Sequence, residues 1–135
     1  MVKEAENFSD TILVIEDTKV IRDALTKILQ TCGYGVAAVT NGEEAIAYLA
    51  EHESPCAILL DLEMPVMNGW EFRTWQQRHP DFAKIPVIIM SGARDSQYTY
   101  ELLRPEAYIG KPFQFASLLH ALHTKTPCKG RPKTV

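Results

Sequence analysis

Three acidic residues stand at positions where they could bind a metal ion and react with phosphorus. Glu16 and Asp17 directly follow an apolar stretch at residues 11–15, and Asp61 directly follows another at residues 56–60. Carboxylate oxygens are hard ligands of the kind that Mg²⁺ prefers. A carboxylate can also act as a nucleophile toward a phosphoryl group. The acids therefore indicate metal-assisted phosphoryl chemistry, provided that the fold brings them together.

A hydroxyl and a lysine occupy similar positions after two further apolar stretches. Ser91 follows residues 86–90, and Lys111 closely follows residues 107–109. A lysine offers a phosphoryl group a point positive charge, and a hydroxyl offers it a hydrogen bond. Taken singly, Ser91 could be a turn residue before Gly92, and Lys111 could be solvated or paired with an acid. Only their combination with the three acids indicates a phosphate site.

The acids also have separate structural explanations, since Glu16 and Asp17 could cap a helix and Asp61 could lie in a turn. Brought close together, however, three carboxylates repel and raise one another's pKa unless a cation joins them. Mg²⁺ would relieve this repulsion, so the combination favours a metal site. Asp61 is the predicted nucleophile because it stands alone, whereas Glu16 and Asp17 are paired as a metal site requires.

Predicted strands and helices alternate along the chain. Continuous apolar runs predict five buried strands, at residues 11–15, 36–39, 56–60, 86–90 and 107–109. Helical spacing of apolar residues predicts five helices, at about 21–32, through 45–49, around 70–78, within 96–103 and at about 114–123. Gly33 is predicted to end the first helix in a left-handed conformation, and Asn41 to cap the second.

This alternation predicts a doubly wound α/β fold. Right-handed crossovers would connect parallel strands, and helices would cover both faces of the sheet. In open sheets of this kind, ligands bind beyond the carboxyl ends of the strands, where the strand order reverses. Every candidate residue follows a predicted strand, so the fold should place all five at one edge.

Length and charge limit the other classes of function. A chain of 135 residues with 46% hydrophobic residues forms one compact domain, predicted at residues 10–124 between an N-terminal extension, 1–9, and a disordered basic tail, 125–135. A net charge of −3 offers no overall attraction to nucleic acid or to an anionic membrane. No apolar run approaches the ~20 residues of a membrane span, and the opening residues lack the apolar region of a secretory signal. A cytoplasmic location is therefore expected.

The three cysteines, Cys32, Cys56 and Cys128, are odd in number and lack the spacing of a metal site or a CxxC motif. Their pattern favours buried or idle thiols over a disulfide framework.

Four segments, in this order, carry a resemblance to a known family: ILVIED, ILLDLEMPVMNG, IPVIIMSG and YIGKPF. Across residues 10–124 the chain resembles the receiver domain of two-component response regulators, as in stand-alone CheY-like proteins. The resemblance implies a five-stranded parallel sheet with strand order 2-1-3-4-5 and five helices.

The resemblance also implies a role for each candidate residue. Asp61 would be the phosphoacceptor, and Mg²⁺ or Mn²⁺ would be the metal. The implied ligands and partners are Glu16, Asp17, Asp61 and the backbone carbonyl of Glu63 for the metal, Ser91 and Lys111 for the phosphoryl group, Ser91 and Tyr108 for the conformational switch, and a cis peptide before Pro112.

The implied function is a phosphorylation-activated switch rather than a turnover enzyme. A phosphohistidine on a sensor histidine kinase or a phosphotransfer protein would supply the phosphoryl group. The signal would pass to a downstream effector protein, by homodimerisation, or by onward phosphoryl transfer; direct contact with nucleic acid or membrane is not expected. The chain departs from the family pattern in two places. The segment between Ser91 and Lys111 is shorter, which predicts a short or irregular fourth helix. Glu63 follows the phosphoacceptor by two residues, and its side chain could modulate the phosphoryl lifetime.

Three alternatives belong to other functional classes. A phosphorylation-independent adaptor with a receiver-like fold would not need all of the candidate residues. A haloacid-dehalogenase-type phosphohydrolase would need a second aspartate where Glu63 stands. A flavodoxin-like nucleotide-binding protein would need a glycine-rich phosphate loop after the first strand, where the chain instead has the acidic sequence EDTKV.

Overall fold

The computed structural model describes residues 8–92 and 101–130. Its strands are β1 Thr11–Ile15, β2 Gly35–Val39, β3 Ala57–Asp61, β4 Val87–Ser91 and β5 Ala107–Gly110. Its helices are α1 Lys19–Thr31, α2 Gly42–Glu51, α3 Gly69–Gln77 and a C-terminal helix, Phe115–Lys125. Residues 101–103 are also helical, in the segment where the sequence predicts the fourth helix.

The five strands form one parallel sheet in the order β2-β1-β3-β4-β5. This order confirms the predicted doubly wound α/β fold and its implied strand order. β1 and β3 lie at the centre, and the direction of winding reverses between them. The two central strands are the ones that the acidic residues follow.

Helices cover the sheet on both faces because alternate strand residues point in opposite directions. One apolar layer, under α1 and the C-terminal helix, includes Ile12, Val14, Leu25, Leu29, Leu59, Ile88, Leu118 and Leu122. The other, under α2 and α3, includes Leu13, Ile15, Ala45, Leu49, Ile58, Leu60, Phe72 and Ile89. Both faces of β3 and β4 are buried, which explains their unbroken apolar sequences.

The helix ends follow the predicted chemistry. Gly33, just after α1, has a φ of 93°, as a left-handed cap requires. The Asn41 side chain accepts a hydrogen bond of 2.9 Å from the Glu44 N–H at the start of α2. At the start of α3, Asn68 and Glu71 form a reciprocal capping box that the sequence analysis did not predict.

The prediction of idle thiols is wrong for two of the three cysteines, because Cys56 and Cys128 form a disulfide. They are 72 residues apart in the sequence, so their spacing carries no local signal. The fold brings them together because Cys56 precedes β3 and the chain returns to the same edge after the C-terminal helix. Residues 126–130 pack on the domain there and differ from the predicted disordered tail. Residues 1–7, 93–100 and 131–135 lie outside the described residues.

Candidate functional site

Four strands bring the predicted site residues to one edge of the sheet. Glu16 and Asp17 directly follow β1, Asp61 is the last residue of β3, and Ser91 is the last residue of β4. Lys111 directly follows β5. The sheet register aligns these strand ends, which places all five residues at the carboxyl edge, as the sequence predicts.

The acids form a compact cluster at this edge. One carboxylate oxygen from each of Glu16, Asp17 and Asp61 lies within 4.8 Å of the other two. Glu16 and Asp61 are buried, with exposures of 0% and 3%, and Asp17 is the more exposed. The cluster is therefore open to solvent on the Asp17 side and closed beneath it.

Lys111 joins the two buried acids. Its Nζ donates to Glu16 Oε1 at 3.3 Å and to Asp61 Oδ1 at 3.2 Å. Its backbone N–H donates to the Ser91 carbonyl at 2.6 Å, which fixes the start of the following loop. The Lys111–Pro112 peptide is cis, the isomer that the family resemblance implies.

Burial and like charge perturb the acid at the centre of the cluster. Burial and, after it, the negative charge of Glu16 raise the pKa of Asp61, the positive charge of Lys111 opposes both effects, and the net result is a pKa of about 7. Burial lowers the pKa of Lys111, but the charges of Asp61 and Glu16 outweigh burial, so the pKa lies above the ordinary lysine value. The cluster is thus short of positive charge.

The donor set fits a small divalent cation. Three carboxylates and one lysine leave a formal excess of two negative charges among these residues, and carboxylate oxygens are the ligands that Mg²⁺ prefers. A cation beside Asp61 would oppose the desolvation and repulsion that raise its pKa. Glu16, Asp17 and Asp61 are the residues that would hold it.

The loop after Asp61 is shaped by a close backbone approach. The Glu63 N–H donates to Asp61 Oδ1 at 3.3 Å and so helps to orient the carboxylate. A Cβ at Gly69 would lie 2.4 Å from the Asp61 carbonyl oxygen, so only glycine fits there. The side chain of Glu63 is exposed, and the use of its carbonyl as a metal ligand stays a prediction.

The predicted switch residues lie beside this cluster. Ser91 is buried, and its neighbour Gly92 accepts a hydrogen bond of 3.2 Å from the Tyr108 hydroxyl. The half-buried ring of Tyr108 packs against the apolar layer under α2 and α3. Ser91 and Tyr108 are therefore linked through the chain that leaves β4.

Sequence reasoning missed a positioning residue at the acid pair. The Arg22 guanidinium donates to the carbonyls of Glu16, at 2.9 Å, and Asp17, at 3.2 Å. It holds the backbone that presents both acids. An arginine on a helix surface is usually solvated, so no signal in the sequence could have identified this role.

A second missed feature is a buried arginine on α3. Arg73 donates to the carbonyls of Leu103 and Arg104, both at 2.8 Å, and to Gln76 Oε1 at 2.7 Å. The Gln76 amide in turn donates to two carbonyls in the loop between α3 and β4. This network anchors the end of the helical segment at residues 101–103, where the sequence departs from the family pattern.

Comparison with known proteins identifies the family. Residues 12–123 match the model of the response regulator receiver domain. The chain belongs to this family. Receiver domains are signalling modules that interact with histidine kinases or phosphotransfer proteins and with downstream effectors. No helix among the described residues is both long and apolar enough to span a membrane.

Relatives of different architecture share this domain. The chain is 31% identical to the transcriptional regulatory protein GltR of Pseudomonas aeruginosa, over 81% of this chain but only 46% of GltR. It is 28% identical to protein PilG of the same organism, over 86% of this chain and 87% of PilG. The receiver domain of a signal transduction histidine kinase from Syntrophus aciditrophicus superimposes with a TM-score of 0.78 at 28% identity, covering 94% of this chain and 98% of that one. The likeness therefore extends over the receiver domain in each case.

Proposed function

We propose that the chain is a phosphorylation-activated switch that accepts a phosphoryl group on Asp61. One observation carries the proposal: the Asp61 carboxylate is buried at the carboxyl edge of the sheet, with Glu16 and Asp17 close by and Lys111 in direct contact. A structural role alone does not require three carboxylates to be crowded together, since their repulsion destabilises the folded state.

The transfer step uses residues already in place. A carboxylate oxygen of Asp61 attacks phosphorus, and the bond from phosphorus to the donor histidine nitrogen breaks. That nitrogen keeps the bonding electron pair and takes up a proton, while Asp61 becomes an acyl phosphate. Lys111 Nζ, 3.2 Å from Asp61 Oδ1, is placed to donate to the incoming phosphoryl oxygens. The Ser91 hydroxyl would be a second donor.

A bound Mg²⁺ would neutralise charge on the transferred group and favour the ionised carboxylate. Glu16, Asp17 and Asp61 would hold it, together with the Glu63 carbonyl, and Mn²⁺ has the same ligand preference. Arg22 keeps the backbone of the acid pair fixed, so the ligands need little rearrangement when the ion binds.

Signal output would begin at Ser91. A phosphoryl group on Asp61 would draw the Ser91 hydroxyl toward it, and the chain from Ser91 to Gly92 would move with the hydroxyl. Because Gly92 accepts the hydrogen bond from Tyr108, this movement changes the position that the Tyr108 ring prefers. Ser91 and Tyr108 thereby convert phosphorylation into a change of surface.

The wider role follows from the receiver family. We propose that a phosphohistidine on a histidine kinase or a phosphotransfer protein is the donor, and that a downstream effector protein or a second copy of this chain receives the signal. The chain would act in the cytoplasm, and apart from its own dephosphorylation it would have no turnover.

The direct test is labelling with acetyl phosphate or phosphoramidate, followed by intact mass measurement. The wild-type chain with Mg²⁺ should gain one phosphoryl group. Asp61→Asn should gain none, and Asp17→Asn should need far more metal. Asp10→Asn is a matched control, because Asp10 precedes β1 at the opposite edge of the sheet and should label normally.

Labelling that persists in Asp61→Asn, or that proceeds equally without a divalent cation, would contradict the proposal. A chain that folds normally but takes no label under any condition would instead support the phosphorylation-independent adaptor.

A further inference from the structure

The Cys56–Cys128 disulfide lies at the edge of the sheet opposite the candidate phosphoacceptor site. Cys56 immediately precedes β3, whose far end is Asp61, and the Cys56 N–H donates to the Thr11 carbonyl at 2.9 Å. Cys128 lies three residues beyond the C-terminal helix. Cys128 is also outside the region that matches the receiver family. The bond therefore joins the centre of the domain to an added C-terminal segment, residues 126–130.

Hydrogen bonds and a close backbone approach also hold this C-terminal segment. The Thr126 hydroxyl donates to the Leu122 carbonyl at 2.6 Å and accepts from the Cys128 N–H at 3.1 Å, which shapes the turn leaving the helix. At its end, a Cβ on Gly130 would lie 2.7 Å from the Cys32 carbonyl and 2.9 Å from the Tyr34 ring. The segment thus crosses the end of α1 with little buried apolar surface besides Cys128. A hydrogen bond between the Gly130 backbone and the Tyr34 hydroxyl adds to this attachment, and the disulfide is its covalent link.

One residue of the disulfide lines a cleft. Cys32 and Cys128 line this cleft of about 900 Å³, together with His123 and Lys129. Cys32 is a free, partly buried thiol. Cys56 is 1% exposed and is not among the described residues that line the cleft. A thiol in the cleft therefore lies nearer to Cys128 than to the buried Cys56.

We propose that Cys32, Cys56 and Cys128 form a thiol–disulfide exchange site that controls the attachment of the C-terminal segment. Disulfides in a reducing compartment are usually transient and redox-sensing, and the proposed cytoplasmic role of the chain makes a reversible bond the expected one. Lys129 would favour the entry of an anionic low-molecular-weight thiol, of which glutathione is the test case.

Both exchange steps are thiol–disulfide reactions in which a thiolate attacks a sulfur of the disulfide. In the internal step, Cys32 loses its proton and its thiolate attacks Cys128; the Cys32–Cys128 bond forms, the Cys56–Cys128 bond breaks, and the Cys56 thiolate takes up a proton. In full reduction, two molecules of a monothiol supply two electrons and two protons and become one disulfide. The fully reduced chain would release residues 126–130, which include Lys129.

Two variants that each lack the Cys56–Cys128 disulfide test whether Cys32 lies close enough to Cys128 to form a bond. Cys56→Ser and Cys128→Ser would be equilibrated in buffers of reduced and oxidised glutathione, alkylated with N-ethylmaleimide, and mapped without reduction. Cys56→Ser should form the Cys32–Cys128 bond, because both residues line the cleft. Cys128→Ser should keep two alkylated thiols. Two free thiols in Cys56→Ser, or equal bond formation in both variants, would overturn the proposed site.

The release of the segment has its own readout. Under native conditions, reduced glutathione should increase the number of alkylated cysteines in the wild-type chain from one to three. Trypsin should then cut after Lys125 and Lys129 at least tenfold faster, while cleavage after Lys27 in α1 should be unchanged. A wild-type disulfide that resists glutathione without denaturant, or an unchanged cleavage rate after reduction, would overturn the proposed control. Neither readout involves phosphoryl transfer, so this inference and the proposed function can fail separately.

Discussion

The two edges of the sheet are built on different principles. At the carboxyl edge, Glu16, Asp17 and Asp61 are held near one another against their repulsion, and Lys111 offsets only part of it. At the amino edge, Cys56 and Cys128 join two distant segments by a covalent bond. Repulsion among the carboxylates at the carboxyl edge destabilises the folded state, and a bound cation could relieve it. The disulfide at the amino edge stabilises the folded state. Chemistry at one edge should therefore be separable from stability at the other.

Breaking the amino edge should have the largest effect on stability. Opening a loop with a sequence separation of 72 residues should lower the free energy of unfolding by up to about 4 kcal/mol, mainly through the entropy of the unfolded chain. Urea denaturation of the wild-type chain, with and without dithiothreitol, measures the difference. Cys32→Ser is the control and should change little. Equal unfolding free energies in the two redox states would show that the bond adds no stability.

Removing the lysine at the carboxyl edge should act mainly on chemistry. In Lys111→Met the side chain keeps its length but loses its charge. The initial rate of labelling by acetyl phosphate should fall roughly 10- to 100-fold, since a hydrogen bond to a charged group contributes about 1.5–3 kcal/mol. Lys84→Met, which alters an exposed lysine before β4, should label at the wild-type rate. A wild-type rate in Lys111→Met would exclude the lysine from the reaction.

The strain at the carboxyl edge should appear as a dependence of stability on pH. Because the pKa of Asp61 is raised to about 7 in the folded chain, from an ordinary value of 3.8, the folded state binds more protons than the unfolded state between these values. Without a divalent cation, the wild-type chain should therefore lose stability relative to Asp61→Asn as the pH rises from about 4 to about 7. The loss should reach about 2 kcal/mol, the order of magnitude that ~1.4 kcal/mol per pKa unit gives.

Denaturation at a series of pH values in the presence of a chelator measures this difference. Adding Mg²⁺ should reduce the difference, because the cation stabilises the ionised cluster. If the difference in unfolding free energy between wild type and Asp61→Asn does not change with pH, the pKa of Asp61 is not raised in the folded chain.

The smallest expected effect concerns Glu63. Its exposed side chain lies near the phosphoacceptor in sequence, and an exposed charge contributes only about 0.2–1 kcal/mol. Glu63→Gln should therefore change the half-life of the phosphorylated chain by no more than about fivefold. Glu53→Gln, which alters an exposed acid before β3, is the control. If the two variants have the same half-life as the wild type, Glu63 has no part in hydrolysis.

The carboxyl edge was open to prediction from the sequence, and the amino edge was not. Asp61 and Ser91 end buried apolar strands, so strand order and the rule for parallel sheets were enough to bring them together. Arg22 and Arg73 gave no such signal, because a charge on a helix shows its partners only after the chain has folded. Cys56 and Cys128 lie far apart in sequence, and their meeting depends on where the chain goes after its last helix. Local sequence patterns were enough to predict the strands and helices, whereas contacts between residues far apart in sequence could be found only in the structure.

The most direct test of the central claim locates the phosphoryl group. The chain is labelled with acetyl phosphate and Mg²⁺, the acyl phosphate is reduced with borohydride, and the peptide that spans β3 is sequenced by mass spectrometry. Reduction of an aspartyl phosphate yields homoserine, and we predict homoserine at position 61 alone. Homoserine at Asp17, the equivalent reduction product at Glu16, or an unmodified residue 61 in a labelled chain would contradict the assignment of Asp61.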